Sequence, residues 1–246
     1  MATFKAQVDA ITGMVSGTTE GALTDNELKQ VISDGVMEVT DKYLQSKPAD
    51  IGMFQVESAE STSQGGHTVK SRLIAVVRET GTDNDWRECR QTSIGMQSKV
   101  TDPESMDYAS KFNPVYHIDD NNTINVYPEP AGSNNAYKVY YVNDAPQNDS
   151  GIAIDEAHST IKYFPKFLVS MVVKYASIKS IEAKLGSLTI DEEDETLVAS
   201  YRVLHKELKD EYDAYFNEVT AAEKAKNEKL QQLMGQMGQA KWRLKD

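Results

Sequence analysis

The chain has 246 residues, of which 39% are hydrophobic and 26% charged, and its net charge at pH 7 is −12. This length predicts one large domain or two small ones. An acidic surface repels phosphate backbones, so sequence-specific nucleic-acid binding is not expected. The single cysteine, Cys89, excludes an intramolecular disulfide. No apolar run approaches the length of a membrane span and the N-terminus lacks a secretory pattern, so we expect a chain made in a cytoplasm.

The sequence of residues 1–50 predicts an N-terminal arm followed by a first helix. The arm, up to Gly21, has weak helical spacing and is expected to be extended or a short helix. The first clear helix is predicted over Thr24–Gln45, because Thr24 suits an N-cap and Glu27 completes a capping box. Gly35 in the middle of this helix predicts a close helix crossing.

Residues 51–146 predict an inserted antiparallel β module. Helical periodicity fades there, and loops rich in Gly, Ser, Asn and Asp separate short β-type runs. A turn is expected at Gly81–Asp85 and a hairpin turn at Asp119–Asn122. Asp102 and Pro103 are typical of a helix start, which predicts a short helix over Asp102–Ser110. The predicted strands lie within Gly52–Ser58, Val69–Thr80, Trp86–Ser93, Pro114–Ile118, Thr123–Tyr127 and Tyr137–Asn143.

Residues 147–222 predict the larger part of a helical bundle. The longest apolar-periodic run lies within Tyr163–Gly186, with Pro165 in the first helical turn and Gly186 at the C′ position. Its apolar stripe is wide, so this core helix is expected to pack against more than one neighbour. The predicted stripe contains Phe167, Leu168, Met171, Val172, Tyr175, Ile178, Ile181 and Leu185.

A last long helix is predicted to open at the acidic run Asp191–Glu195 and to reach about Lys226 or beyond. The tail, residues 223–246, is rich in Lys, Gln and Met and is locally basic. It is expected to be helical only with a partner, or else disordered. The fold class predicted is α+β: a bundle of the first helix and two long C-terminal helices, with the β module inserted between them.

No residue pattern predicts a catalytic, cofactor or metal site. The four histidines, His67, His117, His158 and His205, lack metal-ligand spacing and are expected at the surface or at strand edges. Cys89 is expected to be a buried structural thiol. A pair of carboxylates for glycoside hydrolysis stays open, because sequence spacing does not reveal such a pair.

Three segments together resemble the neck, or head-to-tail adaptor (connector), proteins of tailed bacteriophages. These are the opening helix Thr24–Tyr43, the β insertion Trp86–Pro130 and the core helix with the following helix start, Ile161–Glu195. The resemblance implies a non-enzymatic virion protein without cofactors, which forms a ring of twelve copies beneath the portal, extends the DNA channel and docks the tail or other neck proteins. It also implies that the tail binds the portal through Lys241, Trp242, Arg243 and Leu244, with Trp242 and Leu244 as apolar anchors.

Three alternatives remain beside the adaptor. A tail terminator, tube or baseplate component would have a different ring symmetry and be dominated by β-sheet. A virion-associated cell-wall or glycan hydrolase would need a cleft with two close carboxylates or a metal. A receptor-binding module would favour a trimeric, β-rich fibre over a long terminal helix.

Overall fold

The computed structural model describes residues 2–69, 71–132, 134–191 and 195–243. The chain divides into two compact units: Met1–Asp50 with Ala145–Asp246, and Ile51–Asp144. The first unit is helical and the second is rich in strands, so the predicted α+β fold with a β module between helical segments is confirmed. The helices are α1 (Phe4–Thr12), α2 (Asp25–Ser46), α3 (Gln97–Thr101), α4 (Val169–Asp191) and α5 (Glu195–Arg243). The strands are β1 (Gln55–Glu57), β2 (Leu73–Glu79), β3 (Trp86–Glu88), β4 (Arg90–Gln91), β5 (Val115–Ile118), β6 (Ile124–Tyr127) and β7 (Tyr137–Val142).

Helix α4 is the centre of the helical unit, because α1, α2 and α5 all contact it. Its side chains are therefore buried on several sides, including Val172, Ala176 and Ile181, each at most 1% exposed. The prediction that the core helix packs against more than one neighbour is confirmed. Burial of this apolar surface is the main favourable term that holds the helices together.

The two ends of α4 differ from the prediction. Pro165 lies outside the helix in an extended conformation (φ −63°, ψ 127°), and a 3₁₀ helix over Lys166–Leu168 precedes Val169. Gly186 lies inside α4 and is not a C′ residue, because the helix continues to Asp191. The loop before α2 packs on these last turns: a Cβ atom on Gly21 would lie 1.9 Å from Ser187 Oγ. This tertiary support outweighs the weak helix propensity of glycine.

Phe167 also departs from the prediction, since it was placed on the buried stripe. Its side chain is 53% exposed, although its ring centroid lies 5.8 Å from that of Tyr43 in α2. Residue 167 belongs to the 3₁₀ helix, in which the 3.6-residue periodicity of an α-helix does not hold.

Helix α2 begins as predicted with a capping box. The Glu27 backbone N–H donates to Thr24 Oγ1 at 3.3 Å, and the Thr24 backbone N–H donates to Glu27 Oε2 at 2.8 Å. The helix ends at Ser46, two residues before Pro48, because a proline cannot continue the helical hydrogen-bond ladder.

The β unit contains two sheets. The first has the strand order β1-β7-β2-β3 and is antiparallel throughout. The second has the order β4-β5-β6, and its β4–β5 pair is parallel, so the prediction of a purely antiparallel module is wrong for this pair. A parallel pair requires a long crossover connection, and the residues between Gln91 and Val115 supply one.

The predicted strand Trp86–Ser93 is divided between the two sheets at Cys89. The Cys89 N–H donates to Val76 O of the first sheet at 2.8 Å, whereas the Arg90 N–H donates to Pro114 O beside the second sheet at 2.9 Å. The Cys89 side chain is buried between them in one apolar core, as predicted. That core contains Val76, Cys89, Tyr116, Ile124, Val126, Tyr137 and Val139.

Two further predictions in this unit have opposite outcomes. The hairpin turn at Asp119–Asn122 is confirmed, with Asn122 at φ 58° and the Asp119 carboxylate accepting from the Thr123 N–H. The helix predicted over Asp102–Ser110 is wrong. Helix α3 precedes this segment and ends at Thr101, and Asp102 takes an extended conformation (φ −87°, ψ 113°) because the ring of Pro103 disfavours helical backbone in the preceding residue. The residues that follow Pro103 form turns.

Candidate functional site

The best candidate for a functional surface is the C-terminal part of α5, which begins where the packed part of this helix ends. Leu208, Tyr212 and Phe216 hold the packed part, each at most 8% exposed. The Tyr212 ring lies 6.3 Å from the Tyr175 ring of α4 and 5.0 Å from that of Phe216. This aromatic cluster fixes the direction of α5 against α4.

Charged side chains from α2 and α4 surround the aromatic cluster. Lys42 Nζ lies 4.6 Å from the centre of the Tyr212 ring and 3.9 Å from Asp213 Oδ1. Lys174 Nζ pairs with Glu211 Oε2 at 2.6 Å. These ion pairs are partly exposed and contribute little to stability individually.

Near the end of α2, Thr220 Oγ1 of α5 and Ser46 Oγ of α2 form a hydrogen bond at 2.6 Å. Helix α2 ends at Ser46, whereas α5 continues to Arg243. At 1.5 Å per residue, this continuation is about 35 Å long. We call residues 221–243 the free end of α5.

The described side chains of the free end are mostly in solvent. Lys224, Lys226 and Lys229 are exposed, and Glu223 is half-buried and lies 3.6 Å from Lys226. The segment 223–246 contains six Lys or Arg and three Asp or Glu residues, which is a net charge of +3 in a chain of net charge −12. The free end of α5 is therefore suited to bind an acidic surface.

The four residues predicted to dock on the portal lie at the far end of this helix. Lys241, Trp242 and Arg243 are its last three residues, and Leu244 lies outside the described residues. The acidic run that was predicted to open the last helix is similarly divided: Asp191 ends α4, Glu195 begins α5, and residues 192–194 lie outside the described residues. The docking role of residues 241–244 stays a prediction.

The structure separates the histidines from one another. His67 and His117 belong to the β unit, His158 precedes the 3₁₀ helix before α4, and His205 lies on α5, 3.1 Å from Glu182. His117 is 4% exposed, so the prediction of a surface or edge position is wrong for it. Its ring stacks on Tyr127 at 5.6 Å because residue 117 faces the interior side of β5.

Metal-ligating side chains, the cysteine and one cavity were compared with what a reactive centre requires, within the part of the chain that the structure describes. Within the described residues, no three His, Cys, Asp or Glu side chains gather closely enough to hold a metal ion. Burial raises the pKa of the Cys89 thiol to about 12, which keeps it protonated and unreactive. A cavity of about 120 Å³ beside the start of α4, lined by Asp149 and Lys166 among others, is smaller than the roughly 300–1,000 Å³ typical of ligand pockets.

No protein-family model matches the chain. A search of curated proteins found no significant match either. Among the described residues, none of the helices combines the length and apolar character that crossing a bilayer requires. The case for a function therefore depends on the surfaces of this chain itself.

One surface was missed by the sequence reasoning. Ile94, Met106, Tyr108 and Phe112 belong to the crossover between β4 and β5 and are all exposed. Their spacing has no period, so no pattern marked them. The available signal was the density of large apolar residues in a segment otherwise rich in Ser, Asp and Asn.

Proposed function

We propose that this protein is a structural virion protein of a tailed bacteriophage, which assembles as a ring of twelve copies in the neck and joins the portal to the tail. In this role the ring extends the channel for DNA, the protein is not an enzyme, and it needs no cofactor. The chain would be made in the host cytoplasm and incorporated into the virion.

The observation that carries the proposal is the free end of α5. An isolated helix of this length is only marginally stable in water, and the described side chains beyond Thr220 bury little against the bundle. A helix that extends about 35 Å beyond the end of α2 gains stability when a partner covers it. The portal is the partner proposed for its last residues, with Trp242 and Leu244 as the apolar anchors.

The helical unit supports an adaptor over a tail terminator or tube component. The long helices α2, α4 and α5 pack side by side, and helical residues outnumber strand residues among those that the structure describes. A tube or terminator would be dominated by β-sheet. No specific feature of the described residues favours a hydrolase, a baseplate component or a receptor-binding module.

The net charge of −12 supports passage of DNA without adhesion, because an acidic channel wall repels phosphate groups. We expect acidic side chains to outnumber basic ones on the wall of the assembled ring. A map of the assembled ring that shows a basic wall would contradict this part of the proposal.

The deciding experiment is co-sedimentation of the purified protein with its portal. The full chain is compared with a chain that ends at Ala240, which loses residues 241–246 but keeps Lys224, Lys226 and Lys229. We expect the full chain to sediment with the portal and the shortened chain to lose at least about tenfold in affinity.

Two controls define the result. The first is the double variant Val203→Ala and Leu197→Ala, which changes two exposed apolar residues elsewhere on α5 and should bind like the unmodified chain. The second is circular dichroism and thermal unfolding of the shortened chain, which should unfold like the full chain because the deletion spares the buried residues Leu208, Tyr212 and Phe216 of α5. Failure of the full chain to bind an intact portal would overturn the proposal.

A further inference from the structure

The crossover between β4 and β5, residues 94–112, is a folded projection with its own small core. It contains a 3₁₀ helix over Ile94–Met96, followed by α3. The Ala109 N–H donates to Val100 O at 2.9 Å and closes the segment on itself. Val100 and Ala109 are at most 2% exposed and pack with Val115 of β5. The segment is therefore held in a defined shape. We call it the β4–β5 projection.

Large apolar side chains point outward from this projection although its interior is packed. Met106 is fully exposed, and the exposed fractions of Phe112, Ile94 and Tyr108 are 64%, 58% and 41%. A single exposed apolar residue is ordinary, but four on one short folded segment are typical of a protein-binding surface.

Three acidic residues flank Met106 in the sequence of the same projection. Asp102 and Glu104 are exposed and Asp107 is half-buried. Within the described residues, none of the three carboxylates has a cationic side chain within ion-pair distance.

The projection also carries two exposed lysines, Lys99 and Lys111, and Lys111 Nζ lies 5.0 Å from the centre of the Phe112 ring. With three acidic and two basic residues, the projection presents apolar groups together with a net charge of −1. A partner that fits it offers apolar groups together with positive charge.

The chain itself contains a segment of that composition. On the free end of α5, Lys224, Lys226 and Lys229 are exposed. The sequence of the same helix continues with apolar residues at intervals of three and four, which is the spacing of one helix side. These are Leu230, Leu233, Met234 and Met237.

We propose that residues 224–237 of α5 in one copy bind the β4–β5 projection of the next copy. This inference rests on the ring proposed above and names the contact that builds it. The two surfaces are different, so the contact is heterologous, and a heterologous contact repeats from copy to copy and generates a closed ring when the rotation closes. Residues 241–246 are not used in this contact, so they remain available for a portal.

The experiment uses charge reversal in the full chain and measures mass by analytical ultracentrifugation. The first variant carries Asp102→Lys, Glu104→Lys and Asp107→Lys, and the second carries Lys224→Glu, Lys226→Glu and Lys229→Glu. We expect the unmodified protein to exceed its monomer mass of 27.4 kDa increasingly over about a hundredfold range of concentration. Association should weaken in about 0.5 M NaCl because salt screens exposed charges.

Each variant alone should associate at least about tenfold more weakly than the unmodified protein, because like charges then meet at every contact. An equimolar mixture of the two variants should regain association. In the mixture, the positive projection of the first variant meets the negative helix of the second variant. The negative projection of the second variant likewise meets the positive helix of the first. A contact within one chain would not produce this recovery on mixing.

The apolar part of the contact has its own matched pair of variants. Met106→Ser should weaken association, whereas Ile152→Ser, at a residue that is 60% exposed in the helical unit, should leave it unchanged. Three results would each overturn the inference. They are a protein that stays monomeric at every concentration, variants that associate like the unmodified chain, and a mixture that does not regain association. A monomeric protein that still sediments with the portal would overturn this inference alone and leave the proposed function standing.

Discussion

Gly35 of α2 and Tyr175 of α4 lie so close that a Cβ atom on residue 35 would be 2.8 Å from Tyr175 Cδ1. The same atom would be 3.4 Å from Val172 Cγ1. The close helix crossing predicted from a glycine in the middle of α2 is thus confirmed, and its cause is the width of the tyrosine ring. The weak helix propensity of Gly35 is the cost of bringing the backbone of α2 against this ring.

Gly35→Ala should destabilise the protein although alanine is the better helix former. Alanine improves helix propensity by about 1 kcal/mol, but overpacking against Tyr175 and Val172 costs about 1–3 kcal/mol. We expect a net loss of about 1 kcal/mol in the free energy of unfolding, measured by urea denaturation. Gly186→Ala is the matched control, because a Cβ atom there meets no heavy atom within 4 Å, and it should stabilise α4 by about 0.5–1 kcal/mol. Equal effects of the two substitutions would contradict the role of close packing.

Local signals in the sequence predicted helix starts and turns better than they predicted which strands pair and in which direction. The cap of α2 at Thr24 and the turn at Asn122 depend on residues within four positions, and both are observed as predicted. The parallel pairing of β4 with β5 depends on a crossover that folds by itself, and no periodicity encodes strand direction. The restriction that Pro103 places on Asp102 determined where α3 ends, but it is equally compatible with a helix start, so it did not reveal that turns follow.

Only the amino-acid composition of the candidate site pointed to its role in the sequence. The basic, Met-rich character of residues 223–246 marked the tail as a partner-binding segment, and the structure adds that residues up to Arg243 continue one helix. The exposure of Met106 and Phe112 could not be read from the sequence, because it depends on which side of a folded crossover each residue occupies.

The capping box of α2 should make stability depend on pH. Hydrogen bonds from Thr24, the backbone N–H first and the hydroxyl second, hold the pKa of Glu27 below its ordinary value. A carboxylate whose pKa is lowered by folding adds stability above its unfolded pKa, and this stability is lost as the pH falls through the lowered folded value. Glu27→Gln should therefore flatten the fall in Tm below about pH 4.3.

Thr24→Ala provides the comparison, because it removes the other half of the box and should cost about 1 kcal/mol at neutral pH. The same pH profile in Glu27→Gln and in the unmodified protein would contradict the assignment. Asp41→Asn, at an exposed residue of α2 that takes no part in the cap, is the control for the change of charge and should alter the profile less than Glu27→Gln does.

Tyr212→Phe should leave the protein as stable as before or more stable. Among the described residues, the buried Tyr212 hydroxyl has no hydrogen-bond partner, and burial raises the pKa of this phenol. Removing an unsatisfied buried hydroxyl avoids a desolvation cost, so we expect a gain of up to about 1 kcal/mol by thermal unfolding. Tyr43→Phe is the matched control: its hydroxyl donates to Asp50 Oδ2 at 2.8 Å, and its loss should cost about 1 kcal/mol. Destabilisation by Tyr212→Phe would reveal a hydrogen bond to that hydroxyl.

Cys89 should be unreactive in the folded protein and reactive once the β unit opens. The residue is 4% exposed, and burial raises the pKa of its thiol to about 12, so the thiolate is scarce at neutral pH and shielded from reagents. Reaction with a thiol-specific chromogenic disulfide should be at least about a hundredfold slower in buffer than in denaturing urea. The rate of the slow reaction reports how often the apolar core between the two sheets opens. Val76→Ala, which changes a neighbour of Cys89 in this core, should therefore speed the reaction. Val203→Ala, at an exposed residue of α5, should leave the rate unchanged. A fast reaction in the unmodified folded protein would show that the core between the sheets is open to solvent.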